Sequence, residues 1–263
     1  MKKHLEVSKK IVKSIPNMLT LCNSLCGFAA ILNTLRAYGR PAEDQYDIFV
    51  ISAVMIFCAM VFDAFDGFVA RLLKAGSMHG IQMDSLSDMV TFGVAPAVLI
   101  SVMTHAMKEN LVPLQEVYVY SLSAVYLGGA ALRLATYNVK EMFPEEGVKI
   151  DHDYFSGLPT PGGAAAICVL VFFARETEMD LSKIALALPL YGAVLGLIMV
   201  SNIPYLHAGR WFFSLPRKRI NLLIFLLMLL AIALFKIEAV VTIVTLYVIS
   251  GPVIYIARKC KRA

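Results

Sequence analysis

Val61-Phe62-Asp63-Ala64-Phe65-Asp66-Gly67-Phe68-Val69-Ala70-Arg71, followed after a short gap by Gly80-Ile81-Gln82-Met83-Asp84-Ser85-Leu86-Ser87-Asp88, decides the fold. The first segment closes an apolar run over residues 47–71. The second opens another over residues 79–104. A bilayer core takes about 20 mostly apolar residues per helix, and both runs reach that length. Four carboxylates therefore stand inside a pair of predicted membrane helices. Each costs at least about 2.5 kcal/mol there if ionised and unpaired, so such groups are normally paired and functional.

The spacing gives them a common direction. Asp63, Asp66, Gly67, Ala70 and Arg71 fall at i, i+3, i+4, i+7 and i+8, one face of a helix. Gly80, Asp84 and Asp88 make an i, i+4, i+8 stripe on the next. The loop 72–79 is short enough to make the two helices antiparallel neighbours, so the stripes can face each other. Gly67 and Gly80 remove side-chain bulk where a backbone or a ligand must approach. Capping or snorkelling at the interface accounts for one or two aspartates, not for four in register with glycine and arginine.

The same ruler applied outward gives eight predicted spans: 16–35, 47–71, 79–104, 113–136, 158–174, 183–203, 219–236 and 238–257. Only Lys236, Ile237 and Glu238 separate the last two, which predicts a tight hairpin in preference to one long bent segment. The composition agrees. Hydrophobic residues make up 59% and charged residues 16% of the 263, against about 25% charged in a soluble domain. The fold class expected is all-α, a polytopic transmembrane helical bundle. Its expected divisions are a basic interfacial segment over 1–14, a catalytic six-helix core over 15–203, and two additional helices with a basic tail over 204–263. The apolar stretch from Pro16 to Leu35 is too long for the h-region of a signal peptide, about 7–15 residues, and is expected to be retained as a span.

Eighteen of the 24 Lys and Arg residues fall on one side of this eight-span path, including Lys2, Lys3, Arg71, Lys74, Arg133, Arg217 and Arg258. The positive-inside rule then places both termini, and with them the aspartate cluster, on the cytoplasmic side of the cytoplasmic membrane. The net charge of +5 is a topology signal spread along one membrane face, and no nucleic-acid partner is expected. The five cysteines lie scattered in apolar stretches. Cys22 and Cys26 stand one turn apart, and both are expected to behave as small hydrophobes.

Four carboxylates at one level need compensating positive charge, and Arg71 alone does not supply it. Hard oxygen donors suit magnesium, manganese or calcium and not zinc. Four of them can hold two divalent ions a few ångström apart, the arrangement that clamps phosphate displacements.

These residues carry a resemblance. Asp63, Asp66, Gly67, Ala70 and Arg71, then eight residues, then Gly80, Asp84 and Asp88, match the signature of the CDP-alcohol phosphatidyltransferases at every fixed position and in the gap. The resemblance implies transfer of a phosphatidyl group from a CDP-linked lipid to an alcohol, with release of CMP. It implies divalent metal, Mg2+ or Mn2+, at Asp63, Asp66, Asp84 and Asp88, with Asp88 also the base. It places Gly67, Ala70 and Arg71 around the nucleotide and its phosphates, and it implies a homodimer. The chemistry suits the residues. Arg71 and metal neutralise the pyrophosphate of the donor as CMP departs, and a weak alcohol nucleophile needs a base within hydrogen-bond reach.

Other segments bear on the acceptor. Thr91-Phe92-Gly93-Val-Ala-Pro96-Ala97, Leu132-Arg133-Leu-Ala-Thr136-Tyr137-Asn138, Phe155-Ser156-Gly157-Leu158-Pro159-Thr160-Pro161 and Pro16-Asn17-Met-Leu-Thr20-Leu-Cys-Asn23 resemble the integral-membrane phosphatidylserine synthases over about residues 15–165. This implies CDP-diacylglycerol and L-serine as substrates. The family usually has a second arginine where this chain has Thr136. Arg133 could bind the serine carboxylate bidentately, with Asn138 adding a hydrogen bond. Thr20 and Asn23 share a face of the first span and could line the cytidine end of the pocket, or could simply join helices, as polar residues in membranes do. Three alternatives stay open. One is a phosphorylated acceptor such as glycerol 3-phosphate or inositol phosphate, disfavoured by the acidic stretch 138–155. The second is an archaeal-type lipid donor. The third is a cation-coupled transporter, disfavoured because the cluster lies near one membrane face with no second copy.

Overall fold

The computed structural model describes residues 2–73, 77–108, 111–142, 154–177, 181–206 and 219–260. The expected loop charges Lys74, Lys149, Arg210 and Arg217, and most of the acidic stretch 138–155, lie outside the described residues. Among the described residues there are eight α-helices: α1 (Lys2–Leu35), α2 (Ala42–Leu72), α3 (Met78–Asp88), α4 (Ala95–Met107), α5 (Pro113–Met142), α6 (Thr160–Glu176), α7 (Ala187–Val200) and α8 (Arg219–Cys260). Each predicted span overlaps one of these helices.

Among the described residues, five helical passes have the length and apolarity to cross a bilayer: Ser14–Leu35, Asp44–Leu72, Met78–Met107, Pro113–Val139 and Leu234–Cys260. The protein is thus a polytopic helical membrane protein. The predicted sixth span is trimmed to α7. At 1.5 Å per residue this apolar helix covers only about 21 Å. A 3-10 turn (Leu181–Ile184) precedes it and extended chain follows from Ser201. Lys236 has φ 45° and ψ −117° between helical stretches on either side, so the last two predicted spans are the two halves of α8, meeting at a kink.

Two features were not predicted. The third pass is not one α-helix, because a π-helical turn (Met89–Val94) joins α3 to α4. A short ribbon, β1 (Tyr154–Ser156) antiparallel to β2 (Pro204–Leu206), ties the approach to α6 to the exit from α7, with Phe155 opposite Tyr205 and Ser156 opposite Pro204. Gly157 closes the ribbon at φ +82°. A Cβ there would lie 2.1 Å from the Met199 carbonyl oxygen, so only glycine fits.

The third pass is the most enclosed, with 67% of its apolar window buried against 11% for the last. Around it, α1 lies along α2 and α5 along α7, while α8 meets α6 and β2. In lipid there is little hydrophobic drive between helices, so close backbone approach and polar contacts hold them together. Both occur. A Cβ on Gly129 of α5 would stand 2.3 Å from the carbonyl oxygen of Gly196 on α7. Asn33 of α1 donates to the Ile48 carbonyl (2.9 Å) and Ser52 Oγ (3.0 Å) of α2.

Candidate active site

The site is built where α1, α2 and α3 meet at one end of the bundle. The start of α3 is fixed by Ser77, which has an extended backbone and whose Oγ accepts from Gly80 N at 3.0 Å. This serine N-cap satisfies one of the orphan amides of the first turn. It sets the phase of the helix, so Asp84 and Asp88 follow on the side facing α2.

Polar residues of α1 and α3 zip the two helices together. Ser87 Oγ donates to the Thr20 carbonyl at 2.8 Å, and Thr91 Oγ1 donates to the Asn23 carbonyl at 3.1 Å. Gly27 makes this approach possible, since a Cβ there would lie 2.3 Å from Thr91 Oγ1 and 2.8 Å from Thr91 Cα. With the helices this close, the α1 side chains reach the aspartates. Thr20 Oγ1 lies 2.8 Å from Asp66 Oδ2 and 3.1 Å from the Pro16 carbonyl, so its one proton is shared or alternates between them. Asn23 Nδ2 donates to Asp88 Oδ1 at 3.1 Å. Asn23 is fully buried, and its Oδ1 has no partner among the described residues.

The four predicted aspartates converge. Oxygen atoms of Asp63, Asp66 and Asp84 all lie within 4.8 Å of one another. Asp88 joins the cluster through a side-chain contact with Asp63. Asp66 and Asp88 are only 5% and 8% exposed. Buried carboxylates this close repel one another unless a proton or cation intervenes. The donor set is all hard oxygen, and it fits a divalent ion of the magnesium class.

Gly67 is half-buried, and a Cβ there would touch only the Arg71 guanidinium, at 3.7 Å. Arg71 thus folds back along α2 over Gly67, at the rim of the cluster. Ala70 is half-buried in the same last turn. Gly80 lies against the α1 side chain Asn17.

Arg133 and Asn138 are not side by side. Five residues apart on α5, they point about 140° away from each other. Asn138 Oδ1 accepts from Ser85 Oγ at 2.7 Å, beside an open apolar groove of about 360 Å³ between α3 and α5. Arg133 shares the face of Tyr126 and Ala130 and donates from NH1 to the Ser156 carbonyl of the ribbon. Two contacts set the depth of Arg133. Ser85 meets Asn138, and a Cβ on Gly93 would be 3.5 Å from that of Ala130. Antiparallel register between these contacts brings Arg133 level with Val90, about 3 Å along the axis from Asp88. Thr136, where the resemblance leads one to expect arginine, donates its hydroxyl to the Leu132 carbonyl of its own helix at 2.7 Å.

Sequence reasoning passed over Ser87, Tyr126 and the ribbon. The polar run Ser85-Leu-Ser87-Asp88 within an apolar helix was a visible signal for Ser87. Tyr126 carried none. Its hydroxyl donates to the Phe92 carbonyl at 2.8 Å, inside a π-turn that composition does not announce.

The comparisons bear on this geometry. A sequence model of the CDP-alcohol phosphatidyltransferases matches residues 13–258. A protein of Helicobacter pylori named CDP-diacylglycerol–serine O-phosphatidyltransferase is 28% identical over 242 residues, covering 90% of this chain and 88% of its own length. One of the same name from Bacillus subtilis is 30% identical over 207 residues, covering 75% of this chain and 98% of its own. Another from Methanocaldococcus jannaschii is 29% identical over 197 residues, 75% of each chain. The match reaches from α1 through most of α8 and takes in the aspartates facing each other across α2 and α3: the chain belongs to the CDP-alcohol phosphatidyltransferase family.

Proposed function

We propose that this protein transfers the phosphatidyl group of CDP-diacylglycerol to the hydroxyl of L-serine, giving phosphatidylserine and CMP. The observation that carries the reading is the convergence of Asp63, Asp66 and Asp84 within 4.8 Å, with Asp88 attached. The names of relatives that align over most of the chain support serine as the acceptor.

In this reading Asp63, Asp66, Asp84 and Asp88 hold divalent metal, Mg2+ or Mn2+, as two ions. The bound metal supplies charge neutralisation for the pyrophosphate of the donor. Arg71, folded over Gly67 beside Ala70, binds the phosphates. Thr20 and Asn23 line the nucleotide end, where the unpartnered Asn23 Oδ1 offers an acceptor. Asp88 takes the proton of the serine hydroxyl as its oxygen forms a bond to the lipid phosphorus. The bond from that phosphorus to the CMP oxygen breaks, and CMP carries away the charge. Burial of Asp66 and Asp88 keeps water from competing with serine.

Arg133, about 3 Å along the axis from Asp88, receives the serine carboxylate. Asn138 contributes through Ser85, the neighbour of Asp84. The core over 15–203 holds every one of these residues. The site faces the cytoplasm with both termini, and the active form is a homodimer.

The test is CMP release by the purified protein with CDP-diacylglycerol and Mn2+ or Mg2+. Serine is compared with glycerol 3-phosphate and inositol phosphate. Serine-dependent CMP is expected. Its absence, with CMP released to either phosphorylated acceptor, would overturn the acceptor and keep the chemistry. Turnover that survives full chelation would overturn the metal reading.

A further inference from the structure

The last helix lies apart from the aspartates, yet it is joined to Arg133 by a continuous set of contacts. Tyr205 of β2 is fully buried, and its hydroxyl donates to the Val248 carbonyl of α8 at 2.9 Å. A Cβ on Gly251 would stand 2.3 Å from Tyr205 Cζ, so the ring lies directly on the α8 backbone. One turn earlier, the Tyr247 ring meets that of Tyr205, with centroids 5.7 Å apart and planes at 53°. On its other side Tyr247 approaches Gly162 of α6, where a Cβ would lie 3.2 Å from Tyr247 Cε1. The Tyr247 ring is thus wedged between the ribbon and the start of α6.

From there the phenol comes within electrostatic reach of the Arg133 guanidinium. Arg133 is held by the Ser156 carbonyl of β1. Ser156 is itself held, with Oγ donating to Asn202 Oδ1 at 3.0 Å, and its strand is paired to the one that Tyr205 nails to α8. An arginine that receives a carboxylate needs its planar fork pre-set, because two parallel hydrogen bonds form only in one orientation. A flexible side chain fixed beforehand loses less entropy on binding.

We infer that the C-terminal half of α8 completes the acceptor half of the site, with Tyr247, wedged between Tyr205 and Gly162, positioning Arg133 for the carboxylate of the acceptor. The inference rests on the reading of Arg133 as the acceptor-binding residue. Tyr247 touches no reacting atom. Its hydroxyl orients the guanidinium and its ring keeps α8 seated.

The test uses the full-length protein in detergent or lipid with CDP-diacylglycerol, L-serine and Mn2+, and compares Tyr247→Phe, Tyr247→Ala and Arg133→Lys. Removal of the hydroxyl that orients the guanidinium is expected to raise the serine KM of Tyr247→Phe about tenfold. The KM for CDP-diacylglycerol and the thermal midpoint are expected to stay where they are. Tyr247→Ala, which also loses the wedge, is expected to add a lowered midpoint. If Arg133→Lys raises the serine KM and Tyr247→Phe does not, the positioning role is overturned and the Arg133 reading stands. If Tyr247→Phe shifts both KM values, kcat and the midpoint together, Tyr247 is only structural and the inference is overturned. If Arg133→Lys leaves the serine KM unchanged, the acceptor reading fails and takes the inference with it.

Discussion

Asn23 Nδ2 donates to Asp88 Oδ1 at 3.1 Å, so the amide of the first helix orients the deepest carboxylate of the third. The contact is possible because Gly27 lets α1 and the π-turn after α3 close to backbone distance one turn further on. It leaves the second oxygen of Asp88 for the cluster. Asn23 is thus a positioning residue as well as a candidate for the nucleotide.

Asn23→Ala removes that donor. Loss of a group that orients a metal-binding residue typically costs about 10–100-fold in metal affinity or activity. CMP release is expected to fall in that range, with recovery at raised Mn2+ concentration. Unchanged turnover at limiting Mn2+ would show that Asp88 needs no such support.

Asp63→Asn separates stability from activity. Asp63 stands among three other carboxylates. Neutralising it relieves like-charge repulsion in the metal-free protein. The thermal midpoint without metal is expected to hold or rise, and the upward shift on adding Mn2+ is expected to shrink. Turnover is expected to drop more than about 100-fold, beyond the usual loss for an outer-shell partner. A lowered midpoint in the metal-free variant would contradict the repulsion argument.

Two adjacent glycines should behave differently. A Cβ on Gly129 would meet the Gly196 carbonyl at 2.3 Å, whereas one on Gly128 meets nothing within 4 Å. Gly129→Ala is expected to destabilise by about 1–3 kcal/mol through overpacking of α5 against α7. Gly128→Ala is expected to stay within about 0.5 kcal/mol. Thermal unfolding in one detergent measures both, and equal midpoints would refute the packing of these helices.

Tyr126→Phe tests the π-turn. Pro96, four residues after Phe92, has no amide to give, and the buried Tyr126 hydroxyl donates to the Phe92 carbonyl. The variant keeps the ring and removes that donor, at an expected cost of about 1–3 kcal/mol. A midpoint equal to that of the unaltered protein would mean that the carbonyl finds another partner.

Much of the site was legible because its logic is local. Asp63 and Asp66, or Asp84 and Asp88, share a face by helix period alone, and a short loop makes their two helices neighbours. Thr20 and Asn23 were legible as a face but not as a contact. Which carboxylate each would meet depends on how far α1 slides along α3, and Ser87, Thr91 and Gly27 set that. Arg133 and Asn138 look alike as polar residues ending one span. The tertiary structure turns one to the ribbon and the other to Ser85.

The sequence by itself determined the solvent, the helical passes and the reaction centre, because hydropathy and helix period act over a few turns. Only the tertiary structure decided the π-turn after Asp88, the ribbon behind Arg133 and the seat of α8 on Tyr205. These depend on contacts between residues far apart in the chain. They arise where a Cβ has no room, beside the Met199 carbonyl at Gly157 and the Tyr205 ring at Gly251, and a local reading of composition does not reveal which distant residue each glycine will meet.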